Sequence, residues 1–308
     1  MKKLDFNNDW YYKRLNESGT GRKVTVPHDA MCAERRSEQS RGQHNIGWFE
    51  SFDYVYWKHF SVPAEYENGE VLLEFEGVYH NAEVYINGKK AGYRPYGYTN
   101  FHVDIAPFLE FGQDNEIRVI ARNADQPNSR WYTGSGIYRP VWMYVAEDMY
   151  IPVNGVKIRT TGYSRKEKTA RVEIKAATSL PGEPEITILD PDGRVAAEGH
   201  HHIFQAEISD AKLWNTETPY LYTCVVKFGR DEVREQFGIR MLRWDGQDGI
   251  TINGEHVILK GACIHHDNGV LGACAFPEAE ERKIRILKEN GYNAIRSARN
   301  PCSKALQE

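Results

Sequence analysis

The chain has 308 residues, 41% apolar and 27% charged, with a formal net charge of −4. That is length for two or three domains of ordinary soluble composition. The charge gives no basic face for nucleic acid, and no apolar run approaches the ~18 residues that would suggest a membrane span.

The opening "MKKLDFNNDWYYKRLNESG" has two lysines with no apolar core behind them, so it does not read as a signal peptide. Location is left open between cytoplasm and periplasm. Residues 1–150 predict a β-sandwich. "VLLEFEGV" (71–78) and "AEVYING" (82–88) alternate with period two, with Ala82, Val84 and Ile86 on one face and Glu83 and Tyr85 on the other. Asn87-Gly88 signals a hairpin. "NEIRVIARN" (115–123) alternates again, and "IYRPVWMYV" (137–145) predicts a further strand, whose Pro140 argues for an edge or a bulge. Between these two lies "ADQPNSRWYTGSG" (124–136), a long polar loop holding Trp131 and Tyr132.

Residues 151–244 carry short strands at regular spacing, among them "ARVEIKAAT", "YLYTCVVKF" and "EITILDPDGRVAAEG" with its DPDG turn. They predict an immunoglobulin-like sandwich without a Cys…Trp…Cys pattern. From 245 the texture changes. A hairpin at Asn253-Gly254 is followed by an apolar strand "VILKGA" (257–262), then a helix with Pro277 at its start, glutamates in its first turn and Gly291 at its stop. Glu278–Arg282 and Glu281–Arg285 are spaced as i,i+4 pairs, worth about 0.2–0.5 kcal/mol each. Ala279, Ile284, Ile286 and Leu287 share one arc, and "YNAIRS" predicts a second strand. Strand–helix–strand is the unit of a parallel sheet, which must be covered on both faces. Two such strands cannot supply that, so the chain reads as the front of a longer protein. The open edge predicts packing on the sandwiches or pairing with a second copy, a homo-oligomer.

The five cysteines, Cys32, Cys224, Cys263, Cys274 and Cys302, have no C-x-x-C spacing and predict reduced structural thiols. "HHD" (265–267) does not suit a metal, because successive residues of extended chain point opposite ways. "HHH" (200–202) reads as a solvated loop. The chain holds seven Trp and eighteen Tyr, whose faces suit strands and the C–H faces of sugars.

Six stretches in order resemble glycoside hydrolase family 2, the family of bacterial β-galactosidases, β-glucuronidases and β-mannosidases. They are "GWFESFDYVYWKHFSVP" (47–63), "FEGVYHNAEVYINGKKAGYRPYGYTNFHVDI" (75–105), "NSRWYTGSGIYRPVWMYV" (128–145), "FGIRML" (237–242), "INGEHVILKGACIHHDNGVLG" (252–272) and "LKENGYNAIRSARNP" (287–301). The resemblance implies a jelly-roll sugar-binding-type domain (1–150), an immunoglobulin-like domain (151–244) and the truncated start of a (β/α)8 barrel (245–308). A complete barrel needs roughly 250 residues. The family's acid/base and nucleophile glutamates lie on later barrel strands, so no catalytic residue is expected in this chain, and residues 1–308 alone are expected to be inactive. No cofactor is expected here, and a metal ion is left open for the intact enzyme.

The expected partner is a β-linked carbohydrate, most simply a β-galactoside. β-Glucuronide and β-mannoside are the rivals within the family, and a non-catalytic carbohydrate-binding protein is the rival outside it. By the family pattern, His265 contacts substrate and Arg296 stands beside the catalytic carboxylates, both at the C-terminal ends of barrel strands. A loop of the first domain reaches the sugar, with Asn128 and Arg130 at that place. Trp131 would stack on sugar or anchor the loop. Arg299 stands where the family usually has His, a departure that points towards an acidic group on the substrate.

Overall fold

The computed structural model describes residues 1–247 and 249–308. They divide into two compact units, 3–145 with 260–308, and 1–2 with 146–259.

The first unit is built on two antiparallel sheets. The six-stranded sheet runs in the order Arg22–Val24, Trp10–Arg14, Asp53–Ser61, Asp114–Arg122, Ala82–Ile86, Lys89–Arg94. The four-stranded sheet runs Lys2–Asp5, Val141–Ala146, Glu70–Phe75, Phe101–Asp104. Alternation decides what faces in: Ile117, Val119 and Ala121 meet Ala82, Val84 and Ile86, all fully buried with Trp10, Tyr54, Tyr56, Leu73 and Phe75. Burying side chains of this size contributes about 1.5–3 kcal/mol apiece as an upper bound. At the predicted hairpin Asn87 and Gly88 take φ of 50° and 77°, the two positive values that a two-residue turn matching strand twist requires.

Pro140 stands differently from expectation. The strand begins after it, at Val141, and lies inside its sheet rather than at the edge. Pro140 has no N–H to pair, and its carbonyl accepts from the Glu76 N–H at 3.0 Å, so the ladder loses nothing there.

Residues 260–308 add a parallel pair, Gly261–Ile264 with Ala294–Ser297, joined through the helix Pro277–Glu289 and followed by the turn of helix Lys304–Gln307. The expected strand 257–262 is displaced towards its C-terminus. Ile258 and Leu259 are 65% and 52% exposed, because the pairing with Ala294–Ser297 begins only at Gly261. Pro277 and Gly291 hold their predicted places, the latter at φ 83°. The predicted Glu278–Arg282 pair is replaced by Glu280–Lys283 at 3.1 Å, beside Glu281–Arg285 at 3.9 Å. Glu280 is buried and also accepts from Asn268 Nδ2 at 3.0 Å, so it turns inward and takes Lys283 with it. The apolar arc is only half covered, with Ile286 39% exposed.

The second unit packs the sheet Val156–Ser164, Thr169–Ala176, Ile203–Ile208 with the sheet Val195–Gly199, Glu185–Leu189, Tyr222–Phe228, Asp231–Phe237. Val172, Ile174, Ile186, Ile188, Cys224 and Val226 form its core. A short sheet Leu242–Asp245, Gly249–Ile252, Glu255–His256 follows, turning at Asn253-Gly254. Among the described residues no helix is long and apolar enough to cross a membrane.

Candidate functional site

The loop 124–136 is fixed by its own polar side chains. Asn123, fully buried, donates to the Gly134 carbonyl at 3.0 Å and to Ser135 Oγ at 2.7 Å. Its Oδ1 accepts from Gln126 Nε2 and Asn128 Nδ2, both at 2.8 Å. Asn128 also donates to the Asp125 carbonyl at 2.9 Å, and its Oδ1 accepts from the Tyr79 hydroxyl at 3.1 Å. The amide is therefore engaged on both sides and holds the loop. Arg130 is exposed and has no ion pair or hydrogen bond among the described residues.

Asp29 ties this loop to the segment after the first parallel strand. Its carboxylate, 4% exposed, accepts from the backbone N–H of Met31 (3.0 Å), Ser135 (2.9 Å) and Ala273 (2.9 Å), and from the Tyr132 hydroxyl (2.6 Å). The segments meet so closely that two glycines are required. A Cβ on Gly134 would stand 2.6 Å from Ala273 Cβ, and one on Gly272 2.3 Å from Cys32 Sγ. Both have positive φ, 67° and 62°, so a side chain there is disfavoured by backbone and by space. Burial, then the Asp29 charge, pushes the Cys32 thiol up to about 11, which leaves it protonated and poorly nucleophilic.

Arg139, 2% exposed, donates to the Tyr98 carbonyl and the Pro301 carbonyl, each at 2.9 Å. His266 Nε2 lies 3.1 Å from the Thr133 carbonyl, with the ring edge-on to Tyr98 and Tyr138. Burial lowers its pKa to about 4 and keeps it neutral near pH 7. Lys304 closes the set with Glu74 at 2.6 Å.

These ties bring two of the sequence candidates, His265 and Arg299, around the ring of a third, Trp131. Trp131 is anchored by its Nε1–H, which donates to the Tyr98 hydroxyl at 2.9 Å. The His265 ring lies 5.8 Å from it at 55°, and the Arg299 guanidinium lies over it at 5.1 Å. His265 directly follows the first parallel strand and Arg299 stands two residues past the second, at their C-terminal ends. Asn300 accepts from the Tyr96 hydroxyl at 2.8 Å. His265 Nδ1 and Asn300 Nδ2 are enclosed and have no hydrogen-bond partner among the described residues, unusual for buried polar atoms. Arg296 stands apart. It is exposed and reaches Cys263 Sγ at 3.4 Å on the neighbouring strand, with no carboxylate partner among the described residues.

Sequence reasoning missed Asp29, Arg139 and His266 as the groups that build this corner. Among the described residues no three of His, Cys, Asp and Glu converge to hold a metal ion. The corner presents the half-buried Trp131 ring, the His265 ring beside it and the exposed Arg299 cation over it.

The profile described as "Glycosyl hydrolase 2 galactose-binding domain-like" matches residues 25–164, and that of "Glycosyl hydrolases family 2" matches 151–240. A β-galactosidase of Bacteroides ovatus (BoGH2A) is 34% identical, over 99% of this chain and 39% of its own length. A β-glucuronidase of Bacteroides fragilis is 26% identical, over 96% of this chain and 46% of its own. The crystal structure of a β-glycosidase from Bacteroides vulgatus superposes with a TM-score of 0.91 at 30% identity, over 99% of this chain and 42% of that one. The chain thus spans less than half the length of each of these relatives.

Proposed function

We propose, from the premise that this chain belongs to glycosyl hydrolase family 2, that it is the N-terminal part of a retaining β-glycosidase acting on terminal β-galactosides. Residues 245–308 are then the first β/α units of a (β/α)8 barrel, preceded by a jelly roll (1–150) and an immunoglobulin-like domain (151–244). The observation that carries the reading is the corner at Trp131, where His265 and Arg299 meet at the C-terminal ends of two parallel strands, the end where such barrels hold their sites. Retaining hydrolysis needs two carboxyl groups about 5–5.5 Å apart. Two buried carboxylates of this unit, Asp29 and Glu280, are engaged by backbone N–H groups, Tyr132, Asn268 and Lys283. By the family resemblance the reacting pair belongs to later barrel strands. The proposed substrate contacts are His265, Arg299 and Arg130, with Arg296 oriented towards a carboxylate those strands supply. Asn128 acts by holding the loop.

A second reading is favoured by one observation. Arg299 and Arg130 present cations without an anionic partner among the described residues, which suits a β-glucuronide carboxylate. The test is kcat/KM of the enzyme with its downstream sequence on aryl β-galactoside and aryl β-glucuronide, before and after Arg299→His. For a β-galactosidase the galactoside is preferred in both forms. A glucuronide preference that falls by about tenfold or more in the variant, the loss of one charge-assisted contact, replaces the first reading with the second.

A further inference from the structure

On the outer face of the six-stranded sheet, strand pairing lines up Lys23, Tyr11, Trp57, Arg118, Tyr85 and Lys90 in one row across all six strands. Cations flank a pair of aromatics, Tyr11 and Trp57, and then the single aromatic Tyr85. Tyr11 and Trp57 lie near-parallel, 20° apart with centroids at 5.9 Å, and Tyr11 is 38% exposed. The Trp57 ring lies across the backbone of Gly21, where a Cβ would stand 2.3 Å from it. The ring is thus seated between a neighbouring aromatic and a bare peptide, rigid before any ligand arrives.

Gly21 also lines a cleft of about 210 Å³ with Lys13, Arg14, Glu17, Ser18, Thr20 and Arg22. At ~30 Å³ per water that is room for about seven waters, the scale of one sugar ring rather than of a drug-sized ligand. Its polar groups are partly unengaged. Arg14 is held by Glu34, whereas Arg22, Ser18 and Thr20 have no side-chain hydrogen bond among the described residues. Both signs of charge face the cleft, so a polyanion meets Glu17 and Glu34 as well as the arginines. A neutral ligand rich in hydroxyls, able to donate and to accept, matches that mixture, and its C–H faces match the rings.

We propose that this surface, the Trp57–Tyr11 pair with the cleft beside Gly21, binds a neutral saccharide chain. The proposal stands on this face alone and does not require the glycosidase reading. It is tested on the 308-residue chain by NMR titration with β-1,4-galactohexaose and with cellohexaose. The expected result is binding of one of them at about 1 mM or tighter, with the Trp57 indole N–H among the shifted resonances. Tyr11→Ala and Arg22→Met, both at exposed positions, and Trp57→Ala should each weaken it by about tenfold. Trp244→Ala, at an exposed position of the other unit, should leave it unchanged. No shift with either probe at about 10 mM, or binding lost in Trp131→Ala but kept in Tyr11→Ala and Arg22→Met, overturns the proposal.

Discussion

Replacing Asp29 by Ala should destabilise the unit that contains it by roughly 3–5 kcal/mol and free residues 260–308 for proteolysis. The carboxylate accepts from three backbone N–H groups in three segments and from the Tyr132 hydroxyl. Removing it leaves those donors buried and unsatisfied, and each such group costs about 1–3 kcal/mol. Ser135 N–H and Ala273 N–H belong to the loop and to the tail, so one substitution removes the carboxylate's bonds to both and leaves the loop on the turn only through the Ala30 N–H to Ser135 carbonyl bond. Urea unfolding followed by tryptophan fluorescence, with timed trypsin digestion, measures both effects. A loss below about 1 kcal/mol with the tail still protected would show that packing at Gly134 and Gly272 holds the corner unaided.

The same unit should lose stability steeply as pH falls below about 6.5. His28 and His266 are both lowered to about 4, in each case first by burial. His28 Nδ1 lies 2.8 Å from the Tyr56 hydroxyl, and His266 Nε2 3.1 Å from the Thr133 carbonyl. Both rings are folded in neutral and titrate near 6.5 when unfolded. The unfolded chain therefore binds more protons between pH 6.5 and 4, and stability rises with pH across that window. The stabilisation is complete above about pH 6.5 and lost by about pH 4, a loss of roughly 2 kcal/mol per ring at pH 5. Glu74 adds a later step. Burial opposes its charge, but Lys304, Asn100 and Tyr144 outweigh this and hold its pKa below the usual value. Its contribution is present above its unfolded pKa and disappears as pH falls through the lower folded one. Urea midpoints measured from pH 7 to 5 should fall, and His28→Gln with His266→Gln should flatten the profile. A wild-type profile that is level over this range would refute the neutral burial of both rings.

The strands of both sandwiches were legible because one face of each is buried, which imposes period two on residues such as 82–86 and 117–121. Asn87-Gly88 and Asn253-Gly254 were legible because few residues accept two positive φ values. The strand 257–262 was misplaced because Ile258 and Leu259 look like core by composition, whereas the pairing that defines the strand depends on residues 294–297, far along the chain. Of the corner, His265 and Arg299 were readable through the family resemblance. Asp29 was not. It sits in "VPHDAMCA", a single acid before a short turn, and nothing local tells that Ser135 and Ala273 will point N–H groups at it. The glycines of "YTGSG" and Gly272 were the available signal, since close approach of backbone demands them. The sequence does not show that Asn123 and Tyr79 engage the amide of Asn128, an expected substrate contact.

The proposed function makes these residues one corner of a glycosidase site whose reacting carboxyl groups lie outside them. It is tested most directly by assaying two purified proteins, free of host enzyme, on aryl β-galactoside and aryl β-glucuronide: residues 1–308, and the same chain with its downstream coding sequence. The expected result is no turnover by the first and turnover of one glycoside by the second. Hydrolysis by residues 1–308 alone, at a rate comparable to the longer protein, would contradict it.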